Sequence, residues 1–152
     1  MKLTAVGPSL TQKDINAFEQ QHGVSLPQAY RTFLLSTNGG RPQPAYYDVP
    51  GWRFKTTKVS AFNGILPGAY NDLTDNIKML KGRVPEGFIP IGSDPGGNEA
   101  LLCTSGDTRG KVYFWDHENE PPGDAERLED YPNIHVVAEN FDSFLSSLKD
   151  CT

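Results

Sequence analysis

The chain is poor in the residues that most often carry chemistry. Its 152 residues include two cysteines, Cys103 and Cys151, and three histidines, His22, His117 and His135. Two thiols this far apart form no Cys-x-x-Cys redox or metal pair. Cys103 lies in a predicted strand and reads as a small buried hydrophobe, while Cys151 sits beside the C-terminus. The histidines lack the His-Glu-x-x-His spacing of a zinc helix, and Asp107-Thr108-Arg109-Gly110 is too short for a calcium loop, so no metal is expected. Also missing are the Gly-x-Ser-x-Gly elbow, the Gly-x-x-x-x-Gly-Lys phosphate loop and the Gly-x-Gly-x-x-Gly dinucleotide turn, and no cofactor is expected. No apolar run approaches the roughly 18–20 residues of a membrane span. The opening Met-Lys-Leu-Thr-Ala-Val-Gly-Pro has no secretory h-region, so the expected compartment is the cytoplasm.

What charge there is falls unevenly. The net charge is −5, with 37% hydrophobic and 22% charged residues, ordinary values for one globular domain over 1–152. Residues 116–130 alone hold seven acids (Asp116, Glu118, Glu120, Asp124, Glu126, Glu129, Asp130) against Arg127, a local charge of −6, which leaves the remainder at +1. Such a stretch repels nucleic-acid phosphates and attracts cationic surfaces. It reads either as a partner-binding segment or as a solvated loop.

Turn residues organise the rest. The clusters Ser93-Asp94-Pro95-Gly96-Gly97-Asn98 and Thr104–Gly110 separate three apolar runs, Phe88–Ile91, Ala100–Cys103 and Val112–Trp115, which predicts a three-stranded antiparallel meander. Val112 and Phe114 should face one side, Tyr113 and Trp115 the other. Upstream, Thr11 caps a helix over 12–22 with Ile15 and Phe18 inward, and a second helix spans 27–37 with Tyr30, Phe33 and Leu34 inward. Residues 41–52 contain three prolines, which forbid a central strand, and 53–62 reads as one imperfectly alternating strand. A third helix runs from Asp72 or Thr74 to about Leu80. Ile134–Ala138 is a short β-branched strand, followed by a helix bearing Phe141, Phe144, Leu145 and Leu148. The pattern predicts an α+β domain with helices on one face of a mostly antiparallel sheet.

Two blocks of this sequence resemble a known family. One runs from Ile89-Pro90-Ile91 through Ser93-Asp94-Pro95-Gly96-Gly97-Asn98 to Gly110-Lys111-Val112-Tyr113-Phe114-Trp115-Asp116-His117-Glu118. The other comprises Ile15, Phe18-Glu19, Gly23, Leu26-Pro27, Tyr30, Phe33-Leu34 and Asn38-Gly39-Gly40 with Pro42. In this order they resemble the SUKH superfamily, the Smi/Knr-type group of bacterial immunity proteins and fungal cell-wall regulators. The resemblance implies a curved, mostly antiparallel sheet flanked by helices, no enzymatic activity, and a protein partner, in the bacterial members a toxin that is often a nuclease. Glu99-Ala100-Leu101-Leu102 departs from the more aromatic character expected after Gly-Gly-Asn.

The candidate contact residues are Tyr46, Tyr47, Asp94, Asn98, Trp115, Asp116, His117, Glu118, Glu120 and Asp124. Tyr and Trp anchor interfaces, though Trp115 on a central strand also reads as core. Asp116-His117 reads either as an acid–base pair or as a tie for the loop after its strand. The leading expectation is an immunity-type protein that neutralises a toxin by direct binding. A regulatory or scaffold module binding an endogenous protein is the alternative, and a hydrolase using Asp94, Asp116 and His117 a third.

Overall fold

Reciprocal hydrogen bonds between Thr11 and Asp14 start helix α1, Gln12–His22, and left-handed Gly23 ends it. In the computed structural model, which describes residues 1–151, the other helices follow their capping signals as closely. Helix α2 is Gln28–Ser36, one residue shorter at each end than its periodicity implies. Asp72 caps α3, Leu73–Leu80, by accepting from the Asp75 N–H, and Asn140 caps α4, Phe141–Ser147, through Ser143. Each cap satisfies a backbone donor that the helix itself leaves without a partner.

The meander extends into a five-stranded antiparallel sheet in the order β5 (Ala61–Phe62), β6 (Phe88–Ser93), β7 (Glu99–Cys103), β8 (Val112–Trp115) and β9 (Ile134–Ala138). Ala100 faces Phe114 and Leu101 faces Tyr113 across β7 and β8, so alternate residues serve two separate cores. Ile89, Ala100, Leu102, Val112 and Phe114 pack against α1, α2 and α4. There the aromatic rings lock edge to face: Phe33 meets Phe62 at 5.1 Å and Phe141 at 4.9 Å, and Tyr30 meets Phe141 at 5.2 Å.

On the opposite face Leu101, Cys103, Tyr113 and Trp115 form a smaller core with Leu80 and Val84, covered in part by Phe88, Leu128 and Ile134. The sheet is therefore covered on both faces, not on one. The second cover is the end of α3 with Val84, joined by Leu128 of residues 116–133, the connection from β8 to β9. Leu128 lies in a 3₁₀ turn, Leu128–Asp130, and buried Tyr131 donates its hydroxyl to the Ala125 carbonyl at 3.1 Å. The acidic stretch thus straps an apolar face.

Two small sheets were not anticipated, and the strand expected over 53–62 needs correction. An unforeseen N-terminal strand, β1 (Lys2–Thr4), pairs with β2 (Arg41–Gln43), and β3 (Tyr46–Asp48) pairs with β4 (Thr56–Lys58). The prolines of 41–52 exclude a central strand but permit these two-stranded edges, with Pro42 on one of them. The single strand expected over 53–62 is broken: Val49 N–H donates to the Lys55 carbonyl at 2.7 Å, Lys55 adopts φ 64°, and β4 and β5 follow as separate pieces.

Candidate functional site

The turn between β6 and β7 is built around one carboxylate. Asp94 accepts from the Thr57 hydroxyl at 2.8 Å, the Gly96 N–H at 2.9 Å, and the backbone and side-chain amides of Asn98 at 2.8 and 2.9 Å. Four donors fill the sites two carboxylate oxygens offer, which leaves Asp94 no lone pair for a substrate. Asn98 carries the network onward, its Oδ1 accepting from the backbone N–H and ring Nδ1 of His117 at 3.1 and 2.6 Å. An amide oxygen only accepts, so Nδ1 is the protonated nitrogen. Asp94, Asn98 and His117 therefore knit the β6–β7 turn to the end of β8, an arrangement that fixes the fold.

Gly97 belongs to the same turn. It has φ 93°, and a Cβ there would stand 3.4 Å from the His117 ring. Gly97→Ala is expected to destabilise the protein by roughly 1–3 kcal/mol, read as a lower urea midpoint at unchanged m. A midpoint at or above that of wild type would remove this account of the turn.

Asp116 has a different role from Asp94. Its backbone N–H donates to the Asn133 carbonyl at 2.8 Å, and the Asn133 side-chain amide returns a bond to the Asp116 carbonyl at 2.9 Å, so the two ends of the strap are clamped. Its carboxylate accepts from the Glu118 N–H at 3.0 Å, the Trp52 indole at 3.2 Å and the Asn119 amide at 2.7 Å. Burial pushes this carboxyl up, but those three donors and the neighbouring His117 outweigh it, and it lies below the usual aspartate value. Asp116 stands at the wall of an open cleft of about 620 Å³, lined also by Trp52, Glu118, Glu120, Asn133 and His135.

Beyond the clamp the strap presents its charge outward. Glu120 pairs with Arg83, whose guanidinium lies 4.8 Å over the Trp115 ring. Arg127 and Glu129 approach to 4.0 Å. Among the described residues, Asp116, Glu118, Asp124 and Glu126 take part in no ion pair. Glu118, Asp124 and Glu126 are exposed.

The remaining candidates divide. Tyr47 and Trp115 are each 1% exposed and belong to the two cores, so neither offers its ring to a partner. Tyr46 is half-buried, with the Lys58 ammonium 5.9 Å from its ring centre. Sequence reasoning missed Glu99, which is 4% exposed on the second face opposite Trp115. Its Oε2 and the Trp115 Nε1 have no hydrogen-bond partner among the described residues, and burial, with Asp94 adding to it, pushes its carboxyl up to about 8. The signal available was the two-residue period Glu99, Leu101, Cys103.

An antiparallel sheet braced by helices, with a clamped and outwardly acidic strap, defines an α+β domain whose distinctive surface is polar and charged. Residues 9–147 match the profile of the SMI1 / KNR4 family (SUKH-1), and the chain belongs to that family. It is also similar to the SPbeta prophage-derived uncharacterized protein YokK of Bacillus subtilis (strain 168), at 30% identity over 159 residues, which covers 94% of this chain and 77% of that protein. No solved structure matches significantly.

Proposed function

We propose that this chain is a non-enzymatic, cytoplasmic immunity protein that neutralises a cognate toxin, a nuclease by the charge argument, by covering it. The observation that carries the reading is the strap: Glu118, Asp124 and Glu126 stand exposed and, among the described residues, free of ion pairs on a backbone clamped by Asp116 and Asn133. A nuclease presents a basic cleft to phosphates, and a pre-positioned acidic segment complements such a cleft while accelerating encounter. Family membership and the prophage origin of one relative support the same reading.

The test is co-expression with the toxin encoded beside the gene, together with binding kinetics. Wild type is expected to protect cells. Replacing Glu118, Asp124 and Glu126 by lysine, with Glu120 spared because it holds Arg83, is expected to slow association about 10- to 100-fold at low salt and to flatten its salt dependence. Unchanged kinetics remove the role of the strap. Absence of protection, with an endogenous protein bound instead, replaces the immunity reading by the regulatory or scaffold one.

A further inference from the structure

We propose that the cleft between the 51–53 turn, the start of the strap and the start of β9 is a receptor for an arginine side chain carried by the protein partner. The inference rests on the protein-binding reading above and adds where and by what chemistry the partner is gripped. Three independent observations converge on it.

The first is an unused acceptor. Asn133 lines the cleft and is 1% exposed. Its amide nitrogen is committed to the Asp116 carbonyl, which fixes its orientation, while Oδ1 has no hydrogen-bond partner among the described residues. A buried acceptor left unpaired carries a desolvation penalty, which a ligand's N–H would relieve.

The second is uncompensated charge. Asp116 and Glu118 make no ion pair among the described residues. Arg53, which also lines the cleft, turns its guanidinium onto the Phe54 ring at 4.4 Å and makes no ion pair either. The Asp116 carboxyl lies below its ordinary value, so it is charged when the partner arrives.

The third is a fixed aromatic wall. Trp52 packs against Phe114 at 4.5 Å and Phe54 at 5.1 Å, and its indole N–H is tied to Asp116. Its ring is half-buried and held in place, a surface on which a planar cation stacks. Guanidinium has five donors, no acceptor and a flat face, which answers the carboxylates, the Asn133 oxygen and the indole together. An ammonium lacks the flat face, and an anion meets three carboxylates, Asp116, Glu118 and Glu120, against the single guanidinium of Arg53. At about 620 Å³ and open to solvent, the cleft admits the loop bearing the arginine as well as its side chain.

The test titrates acetyl-Gly-Arg-Gly-amide into the ¹⁵N-labelled full chain, beside the matching lysine and citrulline peptides, citrulline being the neutral isostere. The expected result is saturable movement of the Trp52 indole and Asn133 side-chain resonances. The arginine peptide should bind about tenfold more tightly than the citrulline peptide and more tightly than the lysine peptide. Glu118→Gln, an exposed residue whose carboxylate supports no part of the fold, is expected to weaken that binding several-fold. Equal responses to arginine and lysine spread over 118–130 mean charge screening alone and overturn the proposal, as do silent Trp52 and Asn133 signals. Arginine binding without toxin protection would instead sink the immunity reading and leave the cleft standing.

Discussion

At pH 9, Glu99→Gln is expected to stabilise the protein by about 3–5 kcal/mol, while at pH 4 the variant and the wild type should unfold alike. The side chain lies on the second face of the sheet, paired across the strands with Trp115, 4% exposed and with one oxygen unpartnered among the described residues. An ordinary glutamate titrates near 4.5; here burial first, and the Asp94 charge second, push the carboxyl up to about 8. Between those values the folded chain holds a proton that the unfolded chain has released. Stability therefore falls as pH rises from about 4.5 to about 8 and is level above that, each pH unit being worth about 1.4 kcal/mol.

A glutamine is neutral throughout and abolishes this slope. Urea unfolding of both proteins from pH 4 to pH 9 checks it. His22, whose pKa is lowered by burial and then by Lys78, gives a slope of opposite sign near its own range in both proteins, and the difference between them cancels it. A wild type as stable at pH 9 as at pH 5 after that correction, or a variant that keeps the slope, would show that Glu99 is not held protonated by the fold.

Asp94→Ala is expected to destabilise by about 3–5 kcal/mol, through the opposite physics. Here both carboxylate oxygens are fully answered by donors, and their loss strands the Thr57 hydroxyl, the Gly96 and Asn98 backbone amides and the Asn98 side chain at once. Thr57 and Asn98 are buried, so water does not fully replace the lost bonds. Asn98 then loses what orients it toward His117, and the turn loosens from β8. Asp94→Asn keeps one acceptor and is expected to recover part of the loss. Equilibrium unfolding measures both; an alanine variant within about 0.5 kcal/mol of wild type, the range of an ordinary surface substitution, would show that the network is not what holds the turn.

Much of this architecture was legible because short-range chemistry and long-range packing agree. Thr11 with Asp14, and Tyr30 with Phe33 and Leu34, mark α1 and α2 within a residue, and the two turn clusters mark β6, β7 and β8. Glu99-Ala100-Leu101-Leu102, the departure from the expected aromatic pattern, still forms a strand buried at every position because it is paired on both sides.

Illegible parts depend on distant segments. Three-residue strands such as β1 and β3 carry too little periodicity, and Tyr46 gains its backbone partner from Lys149, at the other end of the chain. Tyr47 lies in a proline-rich stretch that suggests surface; its place against Phe144, ring centres 5.0 Å apart, is set by α4. The acidic stretch revealed its charge in the sequence but not its second duty, since Leu128 and Tyr131 are isolated apolar residues that only the folded sheet explains.

That division of labour has an evolutionary corollary. With the ends of the 116–133 connection pinned and its two apolar residues seated, the side chains pointing away from the sheet answer to no folding constraint. Selection can rewrite Glu118, Asp124 or Glu126 one codon at a time while the framework beneath keeps its shape. A lineage can thereby exchange one protein partner for another without inventing a new architecture.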